Sequence, residues 1–540
     1  MHILNYTTRL YHTIKYLKLK QIVWRFLYLF PRSITDTKSF PIINSSISFN
    51  GVSKNNVTLD YDNFTFLNET HQLLDTGWDD LSISKLWRYN LHYFDFLRQK
   101  EQNKIEFQKN IVYKWIIENP YGKGTGWEPY PTSLRIVNWI KWHWDTKGLT
   151  EEGQLSLWNQ VRWLAARPEY HLLGNHLFVN IKALLFACVF FNLDEKSIIY
   201  KKAIKILSKE LNEQFLSDGA HFELSPMYHA LAMEDLLDLY QLTCGLPPSF
   251  PTQKILDNYF KGMHWLSLMK YNNNELSHFN DCANGIAPSF NELNNLALEL
   301  GLMSEIKSEI KFHHFEESGF GVYKEKDIHL IIDIGHIGPD YLPGHAHADT
   351  LSFELAIKGN RVIVNSGTSE YGFSKERLRQ RSTSAHSTIE IDGKNSSEVW
   401  SGFRVARRAI ISNIVKTKIG DSLEISATHN GYKRLLNRPK HNRKWNVSDG
   451  NLDIIDEVTG KKNNIQHRLY IHPDIQVEMI DNIVFLNKLS ENLVKITSDH
   501  KIHVVSSTYH DSFGSSKKNK CILINGTTPF SSKVSISWSK

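Results

Sequence analysis

Cysteine is scarce: four residues in 540, Cys188, Cys244, Cys282 and Cys521, with no C-x-x-C pair. That excludes a disulfide-stapled miniprotein and makes free thiols in a reducing compartment the simplest expectation. Long apolar runs are missing too. The most apolar stretch near the N-terminus, QIVWRFLYLF (21–30), is interrupted by Arg25 and is half the ~20 residues a spanning helix needs. Pro31, Arg32 and Ser33 follow it, so no small-residue cleavage site marks a signal peptide. Acid is absent from the first 35 residues, which carry Arg9, Lys15, Lys18, Lys20, Arg25 and Arg32. Two readings follow for this segment: a basic amphipathic helix resting on an anionic membrane, or the same helix packed on the protein's own body. Without a signal or a span, the expected location is cytoplasmic or peripheral to an inner membrane.

The bulk composition is that of a globular chain, 41% hydrophobic and 22% charged, which excludes a disordered chain and a fibre. The net charge of +6 is a mild bias towards acidic partners such as a uronate polysaccharide, nucleic acid or anionic lipid. No basic motif of a known nucleic-acid reader is present. Fourteen Trp, 22 Tyr and 28 Phe supply both core and platforms on which sugars stack.

From about residue 80 to 300 the apolar residues recur at three- and four-residue steps. EEGQLSLWNQVRWLAA, NHLFVNIKALLFACVFF, MYHALAMEDLLDLYQL and FNELNNLALELGLM are examples, and they predict stacked helical hairpins. Beyond about 310 the segments become short, β-branched and alternating, as in HLIIDIG, LSFELAIKGNRVIVNSG, STIEIDG, LEISATHN and KVSISWS, with KGN as a hairpin turn. The expected organisation is a basic N-terminal segment with lead-in helices over 1–79, a helical domain over 80–308 and an antiparallel β domain over 309–540. No low-complexity linker separates the last two, so they should pack closely with a cleft between them.

Four places in that frame can carry chemistry. In GWEPYPTSLRIVNWIKWHW (126–144), Trp127, Tyr130 and Arg135 suit a groove for an anionic glycan, although helix-spaced aromatics also build cores. In GNHLFVN, Asn175 and His176 precede an apolar helix, where an amide and an imidazole can hold a carboxylate and where Asn is equally a plain N-cap. In SDGAHFELSPMYHALAMEDLLDLY, Ser225 and Pro226 start a helix and put Tyr228 in its first turn, where the dipole favours an anion such as a phenolate. Glu223 lies close by as a substrate-binding candidate, with His221 and His229. In PGHAHADTLSFEL, His345 and His347 are two apart and face one side of an extended backbone, and His386 in SAHST offers a third imidazole for a metal.

These places, in this order, resemble the heparinase II/III-like polysaccharide lyase family over about residues 80–410. The strongest stretches are GWEPYPTSLRIVNWIKW, GNHLFVNIKALLFA, DGAHFELSPMYHALAMEDLLDL, FNDCANGIAP, and GHAHADTLSFEL through VNSGT to STSAHSTIEIDGKNSSEVW. The resemblance implies an α+β multidomain fold: an incomplete (α/α) toroid followed by an antiparallel β-sandwich domain. It implies cleavage of a uronate-containing, anionic polysaccharide by β-elimination. Asn175 and His176 would neutralise the uronate carboxylate, a charge-stabilising role. Tyr228 would be the acid and also a candidate base, and His345 a base or charge neutraliser. His347, Asn365 and His386 match the ligands of a structural zinc found in some members. The family's Asp in V-D-S-G-T is Asn365 here, and a neutral amide is a poorer Zn²⁺ ligand than a carboxylate. Arg377, Arg379 and Arg381 in SKERLRQRST can bind substrate carboxylates or sulfates, or form a solvated basic face.

The missing export signal ties the expected lyase to a cell's own surface polysaccharide: capsule, exopolysaccharide or O-antigen. Two other functions stand beside it. One is a non-catalytic glycan-binding or polysaccharide-assembly protein on a lyase scaffold. The other is a glycoside hydrolase, which needs two opposed carboxylates; Glu128 and Glu223 are available, but nothing in their spacing singles them out.

Overall fold

The computed structural model describes residues 2–30, 34–53, 58–60, 62–99, 105–303, 311–420, 422–488 and 491–539. The expected boundary at 308/309 and Arg32 lie outside them.

Two short helices open the chain, α1 (His2–Ile14) and α2 (Leu19–Leu27). A small antiparallel sheet of Thr58–Asp60, Asn63–Phe66 and Glu69–Gln72 leads into α3 (Leu73–Thr76) and α4 (Lys85–Tyr93). The helical half follows as α5 (Ile105–Glu118), α6 (Pro129–Thr146), α7 (Glu151–Ala166), α8 (Gly174–Phe190), α9 (Ile198–Glu213), α10 (Pro226–Gln241), α11 (Thr252–Met269) and α12 (Phe290–Glu299). Side-chain caps start several of these helices: Thr150 accepts from Gly153 N–H, Ser225 from Tyr228 N–H and Ser289 from Glu292 N–H. The peripheral helices keep a polar face. By contrast, α8 is buried on nearly all sides, as its largely apolar circumference requires, and α6 is buried with polar residues such as Arg135, Asn138 and Lys141 held in internal hydrogen bonds.

Two antiparallel sheets form the second half. One has nine strands and runs from Phe312–Phe315 at one edge to Ile502–Tyr509 at the other; the second has eight, from Ile411–Ile419 to Gln476–Ile480. Strand His441–Ser448 alternates buried and half-exposed residues, and its Trp445 stands opposite Ile454 across the ladder. Phe353 and Ile363 from the first sheet and Trp445, Ile454 and Ile536 from the second share one apolar core, so the sheets pack face to face. Lys358 and Gly359, both at positive φ, make the KGN hairpin turn. All four cysteines are free.

The halves are clamped together. Trp265 and Met269 of α11 pack with Phe315, Phe320 and Ile331, and Tyr271 Oη donates to Glu354 Oε2 at 2.8 Å. Where they diverge, a cleft of ≈ 2040 Å³ opens, lined by both halves and by α1 and α2.

Candidate active site

The helical wall of the cleft is set by two loop-to-helix junctions. At the first, Leu173 (φ +69°) and Gly174 (φ +56°) turn the chain into α8. A Cβ on Gly174 would sit 2.3 Å from Leu342 Cδ2 and 2.9 Å from Glu223 Oε1, so a side chain here would displace both. The turn lets Asn175 N–H donate to Glu223 Oε1 at 3.3 Å, while Asn175 Nδ2 donates to Tyr130 Oη at 3.3 Å. The plain N-cap reading of Asn175 is therefore corrected: Leu173 holds the cap position, and the Asn175 amide faces the cleft. His176 stacks on Tyr130 at 4.5 Å between centroids and sets Nδ1 3.1 Å from Glu169 Oε1. Burial alone would disfavour its imidazolium, but the carboxylates of Glu169, Glu223 and Glu128 outweigh that and raise its pKa.

At the second junction, Tyr228 occupies the first turn of α10. Its Oη lies 3.0 Å from Tyr371 Oη, and its ring lies 4.1 Å from that of His345. The helix dipole alone would favour a phenolate here. Burial dominates, with the neighbouring Tyr371 adding to it, and pushes the Tyr228 hydroxyl well above its ordinary pKa. Tyr228 is a neutral phenol that can give a proton.

The β-side wall is organised by Asp281, a fully buried residue of the loop between α11 and α12. Its Oδ2 lies 2.8 Å from His345 Nδ1 and its Oδ1 2.8 Å from His347 Nε2, while Arg377 closes a bidentate pair on the same carboxylate, Nη2 at 2.6 Å from Oδ2. Burial on its own would raise the Asp281 pKa, but Arg377 and the two imidazoles reverse this and hold it well below the usual carboxylate range. With Nδ1 engaged, His345 turns Nε2 into the cleft, 3.9 Å from Glu223 Oε2, an oxygen with no hydrogen-bond partner. Asp281→Asn should strip the buried Arg377 of its counter-charge and release His345. Breaking such a pair costs about 3–5 kcal/mol, which denaturant titration of the variant against the parent will measure.

The structure thus brings Tyr130, Asn175, His176, Glu223, Tyr228 and His345 to one cleft, and it withdraws three other candidates. Trp127 closes a short turn ahead of α6 and is buried among Trp115, Tyr121 and Trp163. Arg135 is also buried: it spreads over Trp115 at 3.9 Å and donates to Gln160 Oε1 and His92 O. Arg381 donates to the carbonyls of Ala346 and Gly402 and braces the loop that carries His345. All three are scaffolding rather than sugar contacts. Of the other two arginines, Arg377 is committed to Asp281 and Arg379 to Glu376. Sequence reasoning assigned no role to Asp281, Tyr371 or Glu169. FNDCANGIAP did flag the first, but nothing in one chain pairs residue 281 with 345, or 228 with 371.

His347, Asn365 and His386 were tested against a structural zinc. His347 Nδ1 and His386 Nε2 lie 3.3 Å apart, and Asn365 Oδ1 accepts from Ser387 N–H at 3.4 Å. Both imidazoles are fully buried, which lowers the pKa of each, to about 4 for His347 and well below its ordinary value for His386. One hydrogen-bond chain, His386 to His347 to Asp281, satisfies the facing nitrogens. Two imidazoles and a neutral amide are a poorer donor set for Zn²⁺ than two imidazoles and a carboxylate.

The family model for the heparinase II/III N-terminus matches residues 103–298, and that for the heparinase II/III-like C-terminal region matches 309–539. A heparin-sulfate lyase of Bacteroides stercoris is 25% identical over 323 residues, 54% of this chain and 45% of the relative. One from Pedobacter heparinus is 27% identical over 334 residues, 54% of this chain and 49% of the relative. The chain spans about half the length of the curated relatives it matches. Among solved structures, a heparinase III has a TM-score of 0.66 at 17% identity, covering 85% of this chain and 76% of that one. The heparan sulfate lyase of Pedobacter heparinus gives 0.58 at 17% identity, covering 87% and 80%. At these identities the likeness is one of fold: a helical domain followed by antiparallel β-sheets.

Proposed function

Because the chain belongs to the heparinase II/III-like family, we infer that it is a polysaccharide lyase that breaks a uronate-containing glycan by β-elimination. We take its helical half as the incomplete (α/α) toroid of such enzymes. The carrying observation is the convergence of Asn175 and His176 from one junction, Tyr228 from another and His345 from the β half on a single cleft.

The reaction follows from that placement. The C5 proton of a uronate becomes removable when its carboxylate is neutralised, and the Asn175 amide together with a His176 imidazolium favoured by Glu169 supplies the donors. His345 Nε2 is the base: Asp281 holds Nδ1, which orients the ring and steadies the imidazolium formed when the proton arrives. As the C5–H bond breaks, its electrons form C4=C5, the C4–O bond breaks, and the Tyr228 hydroxyl protonates the departing oxygen. After product leaves, proton exchange with water restores neutral His345 and the Tyr228 hydroxyl.

The charge of the cleft narrows the substrate. Eleven Asp or Glu line it against six Lys or Arg; Asp235 and Asp238 pair with Lys182 and Lys141, Asp340 with Arg408, Glu275 with Arg361 and Asp511 with Lys517, which leaves a small excess of acid. A mildly acidic groove disfavours a densely sulfated chain. It suits a polymer in which single uronates alternate with neutral or amino sugars, as in the capsule, exopolysaccharide or O-antigen repeat units of a cell surface. The test is ultraviolet absorbance of the conjugated C4=C5 product with heparan sulfate, alginate, hyaluronan and the producing cell's surface polysaccharide. A rise on unsulfated polymers is expected. Bound glycan with no rise on any of them would overturn the lyase reading.

A further inference from the structure

Helix α2 has two opposite faces, and only one is used by the fold. On the inner face Gln21 is buried and donates to the carbonyls of Leu172 and Tyr341, Trp24 lies 4.6 Å from Tyr170, and Tyr28 Oη donates to Arg167 O at 2.6 Å. These positions, 21, 24 and 28, form one helical stripe. The outer stripe is Leu19, Ile22, Val23 and Phe26, continued by Leu29 and Phe30 in the following turn. All six are 44–76% exposed. Six large apolar side chains in one contiguous run are more than a soluble surface usually leaves uncovered. They belong to the stretch whose charged residues are all Lys or Arg: Lys15 and Arg25 are exposed, while Lys18 pairs with Glu213 and Lys20 lies over the Tyr170 ring on the inner side.

We propose that this outer face of α2 docks on an anionic membrane surface, its apolar stripe entering the headgroup–acyl boundary while the exposed Lys15 and Arg25 meet lipid phosphates. The geometry is that of an interfacial helix: an amphipathic segment far too short to span, apolar on one side and basic at its margins. Anionic lipid complements the charge, whereas an isologous dimer on this face would press two all-basic segments together. Gln21, Trp24 and Tyr28 fix the helix to the body, so the face is presented ready-made instead of folding on contact. Leu10, Ile14 and Leu17 of the same segment, with Arg25, form one rim of the cleft. Docking therefore holds the cleft mouth beside the bilayer, and on the lyase reading its substrate is presented there. The docking itself does not depend on that reading.

The test is sedimentation of the full chain with vesicles of phosphatidylglycerol and phosphatidylethanolamine, or of phosphatidylcholine alone, together with the double variant Ile22→Glu/Phe26→Glu. Both replaced side chains point outward, so melting temperature and near-ultraviolet circular dichroism should match the parent. The parent should sediment with anionic vesicles at least about tenfold better than with neutral ones, and the double variant should lose about tenfold or more of that binding. A parent that stays in the supernatant with anionic vesicles overturns the proposal. So does a double variant that still sediments like the parent. A parent that is a dimer in solution, converted to monomer by the double variant, would assign the face to a second copy of the chain instead.

Discussion

Tyr228→Phe is expected to lower turnover by about 10²–10⁴-fold while glycan binding changes by no more than a few-fold. The substitution removes one oxygen from a ring packed against His345 and linked to Tyr371, so the shape of the cleft is kept. The fold loses a single hydrogen bond between phenols, a net cost of about 1 kcal/mol. Only the step that needs a proton at the departing oxygen loses its donor. Burial keeps that hydroxyl protonated throughout the working pH range, which suits an acid and leaves His345 as the base. Tyr371→Phe is the control: its hydroxyl also touches Tyr228, but it acts through Tyr228, so its loss should cost far less than that of Tyr228. Ultraviolet initial rates for both variants, set beside binding measured by calorimetry, separate the roles. Tyr228→Phe activity within a few-fold of the parent would remove Tyr228 from the chemistry.

What could be read from sequence divides along physical lines. Where one side of a helix is wet, period carries the signal, and EEGQLSLWNQVRWLAA spans the same residues as α7. Where a helix is dry all round, period says nothing about which side faces a ligand. That is why Trp127 and Arg135 looked like groove residues although they support it from behind. The H-x-H pair pointed to one side as expected, but towards an unforeseen partner: both imidazoles grip Asp281, 64 and 66 residues away in sequence. Tyr371 and Asp281 sit in loops, where no periodicity marks a side chain, and their importance comes from contacts that only the fold creates. The family resemblance supplied what spacing cannot, the expectation that Asn175, Tyr228 and His345 share one site, because aligned motifs carry long-range pairing implicitly.

The protein should also be markedly acid-labile, because it buries neutral imidazoles. Burial lowers the pKa of His92, His221, His329 and His467 to about 3 and that of His229 to about 4. The contacts require the neutral ring. Trp115 Nε1 donates to His92 Nδ1 at 3.0 Å, His221 N–H donates to His229 Nδ1 at 3.0 Å, and Arg443 Nη2 lies 3.0 Å from His467 Nε2. In the unfolded chain each of these histidines takes up a proton near pH 6.5, while in the fold each stays neutral far below that. Between about pH 6.5 and 4 the unfolded state therefore binds more protons, and stability falls as pH falls. Going from pH 7 to 5.5 removes about 1.2 kcal/mol per histidine, so the five together forfeit about 6 kcal/mol, comparable to the whole margin of many domains. His176, raised by Glu169, opposes this with a single group. At about 2 cal/mol/K of unfolding entropy per residue, the melting temperature should drop by at least ~5 °C over that range. A scan of melting temperature against pH measures it, and a flat profile would mean that water reaches these rings. The lability bears on function as well, since a loss of activity below pH 6 then reports the buried imidazoles of the scaffold and not the chemistry of the cleft alone. A pH profile of turnover is informative only where the melting profile is level.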